Sequence, residues 1–161
     1  MNLRPILPAV CGVGLFVCLC SVASASAAPS LARYRAADTD WVVLTDGRGT
    51  AALGGRGGVL CQLGRGSVRI VDMPKGGETE IGVSGAERVR KINGRTTVYS
   101  GRRIGFRVER GWWKIRVQGK NIDASAAVHG RLALRGTAGT FSLRDGAARD
   151  WPRHRRVFRL G

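Results

Sequence analysis

The sequence predicts an all-β domain. Glycines recur at short intervals through the chain, the runs between them alternate apolar and polar residues, and no window of ten or more residues shows a helical period. Turn signals every 8–12 residues or so mark a sandwich or barrel, and a period of two gives a strand one inward and one wet face.

The elements follow in chain order. Trp41–Thr45 and Arg48–Leu53 are strands, with Asp46-Gly47 between them as a hairpin turn. Val68 and Ile70 alternate with Ser67, Arg69 and Val71. Asn93-Gly94 joins Glu87–Ile92 to Arg95–Ser100, since Asn-Gly tolerates the positive φ of a tight turn. Ile104, Phe106 and Val108 alternate with Arg103, Gly105, Arg107 and Glu109, and Trp113, Ile115 and Val117 with Trp112, Lys114, Arg116 and Gln118. Leu132 and Leu134 continue the pattern, Asp145-Gly146 ends a Thr140–Arg144 strand, and Val157–Leu160 closes the chain with Phe158 and Leu160 inward. The pattern around Gly49, Gly57 and Gly66 repeats around Gly111, Gly119 and Gly130. Two related three-strand units in a single antiparallel sandwich or barrel are therefore expected. A β-solenoid is the alternative, although no strict short period is present.

The first residues read as an export signal. One Arg precedes an apolar run, Ile6–Val22, and Ala23-Ser24-Ala25-Ser26-Ala27 offers small-residue cleavage sites. Residues 1–27 are read as a secretory signal, 28–40 as a flexible spacer and 41–161 as the all-β domain. An uncleaved anchor is the lesser reading, because Pro8, Gly12 and Gly14 weaken the run. The expected location is the cell envelope or the outside. Cys11, Cys18 and Cys20 leave with the signal, and Cys61 remains. It reads as a small buried hydrophobe, with a Cys61-linked dimer as the sharper possibility.

No catalytic, cofactor or metal motif emerges. Gly47-x-Gly49-x-x-Ala52 imitates a dinucleotide fingerprint, but Leu53-Gly54-Gly55-Arg56-Gly57-Gly58 cannot open the helix that binds pyrophosphate. His129 and His154 are the only histidines and form no ligand pair, and Ser84 does not sit in a nucleophile elbow. Glu78, Glu80, Glu109 and Asp123 are the carboxylates a small envelope hydrolase would use.

Charge carries more information. The chain has 161 residues, 27 Lys+Arg against 11 Asp+Glu and a formal net charge of +16. Arg enrichment can follow codon usage, but the shortage of acids does not. The resulting field attracts polyanions. If alternation holds, Trp112, Lys114 and Arg116 share a wet face with Arg107 nearby, where an aromatic ring can stack on a sugar while cations hold phosphate. Arg149, Arg153, Arg155, Arg156 and Arg159, with Trp151 and His154 nearby, form a second basic patch near the C-terminus. Export favours an anionic envelope polymer or membrane surface over nucleic acid. The expected function is non-enzymatic binding of such a partner; the alternatives are a small envelope hydrolase and a structural or partner-binding β module.

The run Tyr99-Ser100-Gly101-Arg102-Arg103-Ile104-Gly105-Phe106-Arg107-Val108, with Gly111-Trp112-Trp113-Lys114-Ile115-Arg116-Val117-Gln118-Gly119-Lys120-Asn121-Ile122-Asp123, resembles small exported β-rich proteins of high-GC Gram-positive bacteria. In those, a glycine-bounded hydrophobic strand and a final basic-aromatic strand follow. Here Gly119-Lys120-Asn121 stands where they carry G-x-G. The resemblance covers most of residues 41–161 and implies export and an all-β fold; no activity comes with it.

Overall fold

A computed structural model describes residues 38–75, 77 and 79–161. The signal, residues 28–37 of the spacer and Glu78 lie outside the described residues. The all-β expectation holds, and the first strand begins at Asp40. Seven strands form one antiparallel sheet: β1 (Asp40–Met73), β2 (Glu80–Ser84), β3 (Arg88–Asn93), β4 (Thr96–Glu109), β5 (Trp112–Leu143), β6 (Arg149–Asp150) and β7 (Arg156–Leu160). The order is β2-β4-β1-β5-β6, with β3 also beside β4 and β7 beside β5.

β1 and β5, of 34 and 32 residues, are several times the usual strand length. Their pairing shows how they fit in a small domain. Ala126 of β5 lies between Val42 and Val59, both on β1, and Val117 lies between Ala51 and Val68. Residues flanking one strand are roughly 10 Å apart, whereas seventeen extended residues would reach roughly 56 Å. β1 therefore makes a full turn between Val42 and Val59. β5 makes the same turn, since Val42 also pairs with both Ala126 and Leu143. The two strands wind about one axis, antiparallel to each other. Across the sheet the layers run β7 and β6, second turn of β5, first turn of β1, first turn of β5, second turn of β1, β4, then β2 and β3.

This spiral corrects the finer expectation. The sheet is not closed into a barrel, and it is one sheet rather than two stacked ones. Each repeated segment is a continuous winding strand, not a three-strand unit. Winding about an axis is shared with the solenoid alternative, but these neighbours are antiparallel. Asp46-Gly47 is no hairpin: β1 runs through it without reversing.

A row of glycines makes the bend possible. Gly136, Gly49, Gly119, Gly66 and Gly101 are successive cross-strand partners on five neighbouring layers. A Cβ on Gly66 would run into the carbonyl oxygen of Gln118, and one on Gly49 into that of Arg135. Without side chains the backbones crowd together and fold round a corner. Beside this row, Asp46, Asn121 and Arg103 hold left-handed φ of 50°, 51° and 53°. Such local bulges shift the side-chain phase. The inward residues change accordingly from Val42 and Leu44 to Ala51 and Leu53, and from Val117 to Ile122.

The inward faces of all turns meet in one core, including Leu53, Val59, Leu63, Ile104, Trp113, Ile122 and Leu132, each 3% exposed or less. Trp113 satisfies its indole by donating from Nε1 to the Gly57 carbonyl at 3.1 Å. Trp151, expected within a basic surface patch, is buried. Its ring fills the space left by the absent side chains of Gly47 and Gly136, and its Nε1 donates to Thr140 O at 3.0 Å. Cys61 is buried too. Desolvation, then the charge of Asp123, push its thiol up to about 12, so it behaves as the expected small hydrophobe, and pairing with a second chain would require the core to open.

The chain's last residue is tied to its first strand. Arg144 donates from Nε and Nη2 to Asp40 Oδ1 and Oδ2 at 2.8 and 3.0 Å, and the Gly161 amide donates to Asp40 Oδ2 at 2.8 Å. The Arg144 hydrogen bond is the main reason the Asp40 carboxyl lies below its ordinary value.

The corner makes a test of the winding. Left-handed φ costs an L-residue about 1–2 kcal/mol, and glycine's extra chain entropy costs roughly 0.5–1 kcal/mol, so Arg103→Gly should raise unfolding stability by roughly 0.5 kcal/mol. Gly66→Ala should lower it by several times that amount. Urea unfolding of both variants checks this; equal effects of the two would contradict the corner.

Candidate basic groove

The winding decides which outward side chains become neighbours. Outward positions on the first turn of β1 are Thr50, Ala52 and Gly54. Their partners are Gln118, Arg116 and Lys114 on one side and Arg135, Ala133 and Arg131 on the other. Beyond these lie Arg69, paired with Arg116, and Arg159, paired with Arg131. One wall of the spiral thus carries small residues along its middle and cations on both flanks.

Two grooves open on this wall. The larger, of about 980 Å³, is lined by Arg69, Lys75, Lys114, Arg116, Arg131, Arg155 and Arg159 around Ala52, Gly54, Val71, Ala133, Val157 and Trp112. The second, of about 690 Å³, shares Arg116 and adds Arg48, Arg65, Lys120, Arg135 and Arg153 around Gly49 and Thr50. Twelve Lys and Arg line the two together, and no Asp or Glu side chain lines either. The ion pairs among the described residues belong to Arg56, Arg107, Arg110 and Arg144, none of which lines these grooves.

Cations are also placed directly opposite cations. Arg69 faces Arg116, Arg131 faces Arg159, and Arg65 faces both Lys120 and Arg102. Like charges opposed across strands are destabilising, by roughly 0.2–1 kcal/mol per pair. An anion between them would relieve that repulsion and accept their hydrogen bonds. Trp112, 38% exposed, also lines the larger groove.

The residues expected from sequence divide. Trp112, Lys114, Arg116 and Arg155 line the larger groove, and Arg153 the second. Arg107 does not join them: its cross-strand neighbours are Leu60 and Gly82, and its Nε pairs with Glu109 at 3.1 Å. Arg149, Arg153, His154 and Arg156 line a smaller cleft beside Phe158 and Asp150, which adjoins the second groove through Arg153. Most of the C-terminal patch thus lies on one cleft, while Arg155 and Arg159 turn to the larger groove and Trp151 is buried. The pattern placed Arg159 in the C-terminal patch and missed Arg48, Arg65, Arg69, Lys75, Lys120, Arg131 and Arg135 as members of the wall. Alternation marked several as wet, but only the full-turn winding makes them neighbours.

The carboxylates named for a hydrolase lie elsewhere. Glu80 and Glu109 are cross-strand partners, paired with Arg110 and Arg107, and Asp123 Oδ1 accepts the Asp46 amide at 2.9 Å. No protein-family model, curated protein or solved structure matches the chain.

The opposed cations predict a stability that rises with ionic strength. Added salt shortens the screening length to about 8 Å at 0.15 M. The melting temperature should increase from 10 mM to 300 mM NaCl, and Arg69→Gln should raise it at the low concentration only. A melting temperature that falls or stays flat would mean that the facing cations do not strain the sheet.

Proposed function

We propose that this chain is an exported cell-envelope protein that binds an anionic polymer or surface through its basic wall. The observation that carries the reading is the concentration of twelve Lys and Arg, without a lining carboxylate side chain, on two adjoining grooves. Several are held opposite one another at a cost in stability, which an anionic ligand would offset. Export rests on the charged start, apolar run and small-residue cleavage sites of residues 1–27. That location supplies wall polymers and lipid head groups as ligands in preference to nucleic acid.

The partner-binding alternative has one feature in its favour. β3 is a sheet edge with Val89 and Ile92 exposed. Arg88, Arg90 and Lys91 on the same strand are the kind of charge that keeps an edge from pairing.

The test is cosedimentation of the chain lacking residues 1–27 with isolated cell walls across a salt series. If about four phosphates are neutralised, affinity for a single-chain polymer falls roughly 50-fold between 50 and 200 mM salt. Arg69→Gln with Arg116→Gln should weaken binding, and Arg107→Gln should leave it unchanged. Absence of binding at 50 mM salt, or equal losses from the two sets, would refute the reading.

A further inference from the structure

We infer that the ligand is a single extended phosphate polymer lying in a trough along the first turn of β1. This rests on the polyanion reading above and narrows it. The floor is Thr50, Ala52 and Gly54, with the two grooves continuous over it through Arg116. One bank is Lys114 and Arg116 on one neighbouring strand; the other is Arg131 and Arg135 on the opposite neighbour. The strands carrying the banks are two spacings apart, roughly 10 Å, which admits one polymer backbone and not the paired backbones of a duplex.

The dimensions suit a repeating anion. Lys114 and Arg116 stand two residues apart, about 7 Å along the strand, and Arg131 and Arg135 about 13 Å apart on the far bank. The floor from Thr50 to Gly54 is about 13 Å long, which matches the span of the Arg131–Arg135 bank. Guanidinium forks bind phosphate oxygens in pairs, and a Lys ammonium adds a point charge. Ala52 and Gly54 offer no side-chain donor, so the uncharged linking units rest on the floor while the phosphates turn to the banks. A flat bilayer surface would meet the bank cations but could not reach the floor. The floor therefore separates a chain ligand from a surface ligand.

Gly54 permits a direct test. A Cβ there would meet only the Lys114 side chain, at an ordinary 3.6 Å. Gly54→Leu thus fills the trough without changing charge, and Ala52→Leu repeats the test if the first variant melts early. Anisotropy would compare four probes: a glycerol-phosphate polymer, a deoxythymidine strand long enough to fill the floor, a duplex of equal length, and phosphatidylglycerol vesicles. Both single chains should bind at least about tenfold more tightly than duplex or vesicles, and the filling variants should lose that advantage, each tenfold step being about 1.4 kcal/mol. The tighter of the two single chains identifies the source of the phosphate. Single-chain binding untouched by Gly54→Leu and Ala52→Leu but weakened by Arg116→Gln would overturn the trough and leave the polyanion reading standing. Binding indifferent to both kinds of variant would overturn both.

Discussion

The structure depends on one constraint: two strands of more than thirty residues must each come full circle in about seventeen. Extended backbone resists such curvature, because neighbouring Cβ atoms and carbonyls collide on the inside of a bend. The chain meets the constraint with an aligned row, Gly136–Gly49–Gly119–Gly66–Gly101, where five backbones bend together. Left-handed residues beside the row reset which side chains face inward, so the core stays apolar after each corner. The row works only as a set, since Gly136, Gly49, Gly119 and Gly66 are each crowded by a carbonyl oxygen of a neighbouring strand and Gly101 by Glu87.

The same winding builds the basic wall. Turns of one strand become next-but-one neighbours of each other, so cations far apart in sequence meet. Arg116 faces Arg69, and Arg131 faces Arg159. A sheet selected only for stability would place opposite charges there. Instead the acids lie away from this wall: Asp40 holds Arg144 and the C-terminal amide, Glu109 and Glu80 hold Arg107 and Arg110, and Asp123 caps the Asp46 bulge. Scarce carboxylates are spent on corners and ends, and the wall keeps its surplus of positive charge.

Much of the fold was legible in sequence because its signals are local. Alternation gave the strand positions of Ile104–Val108, Trp113–Val117 and Leu132–Leu134, and Asn93-Gly94 gave the β3–β4 hairpin. Asp46-Gly47 misled for a physical reason: Asp tolerates left-handed φ both in a tight turn and in a bulge, and only the register distinguishes them. The candidate site was half legible. The period of two placed Lys114 and Arg116 on one face, but their partners depend on register across a full turn, which no local pattern encodes. Trp151 looked like part of a basic patch because its pocket is formed by two glycines on different strands, Gly47 of β1 and Gly136 of β5, which only the strand register brings together.

The most direct test of the account is an amide chemical-shift map of the protein titrated with a single-chain phosphate polymer. The account predicts shifts concentrated at Thr50–Gly54, Lys114–Lys120 and Arg131–Arg135, with Arg107 and Arg110 unmoved. Shifts spread evenly over all basic residues would contradict it, leaving charge without a site.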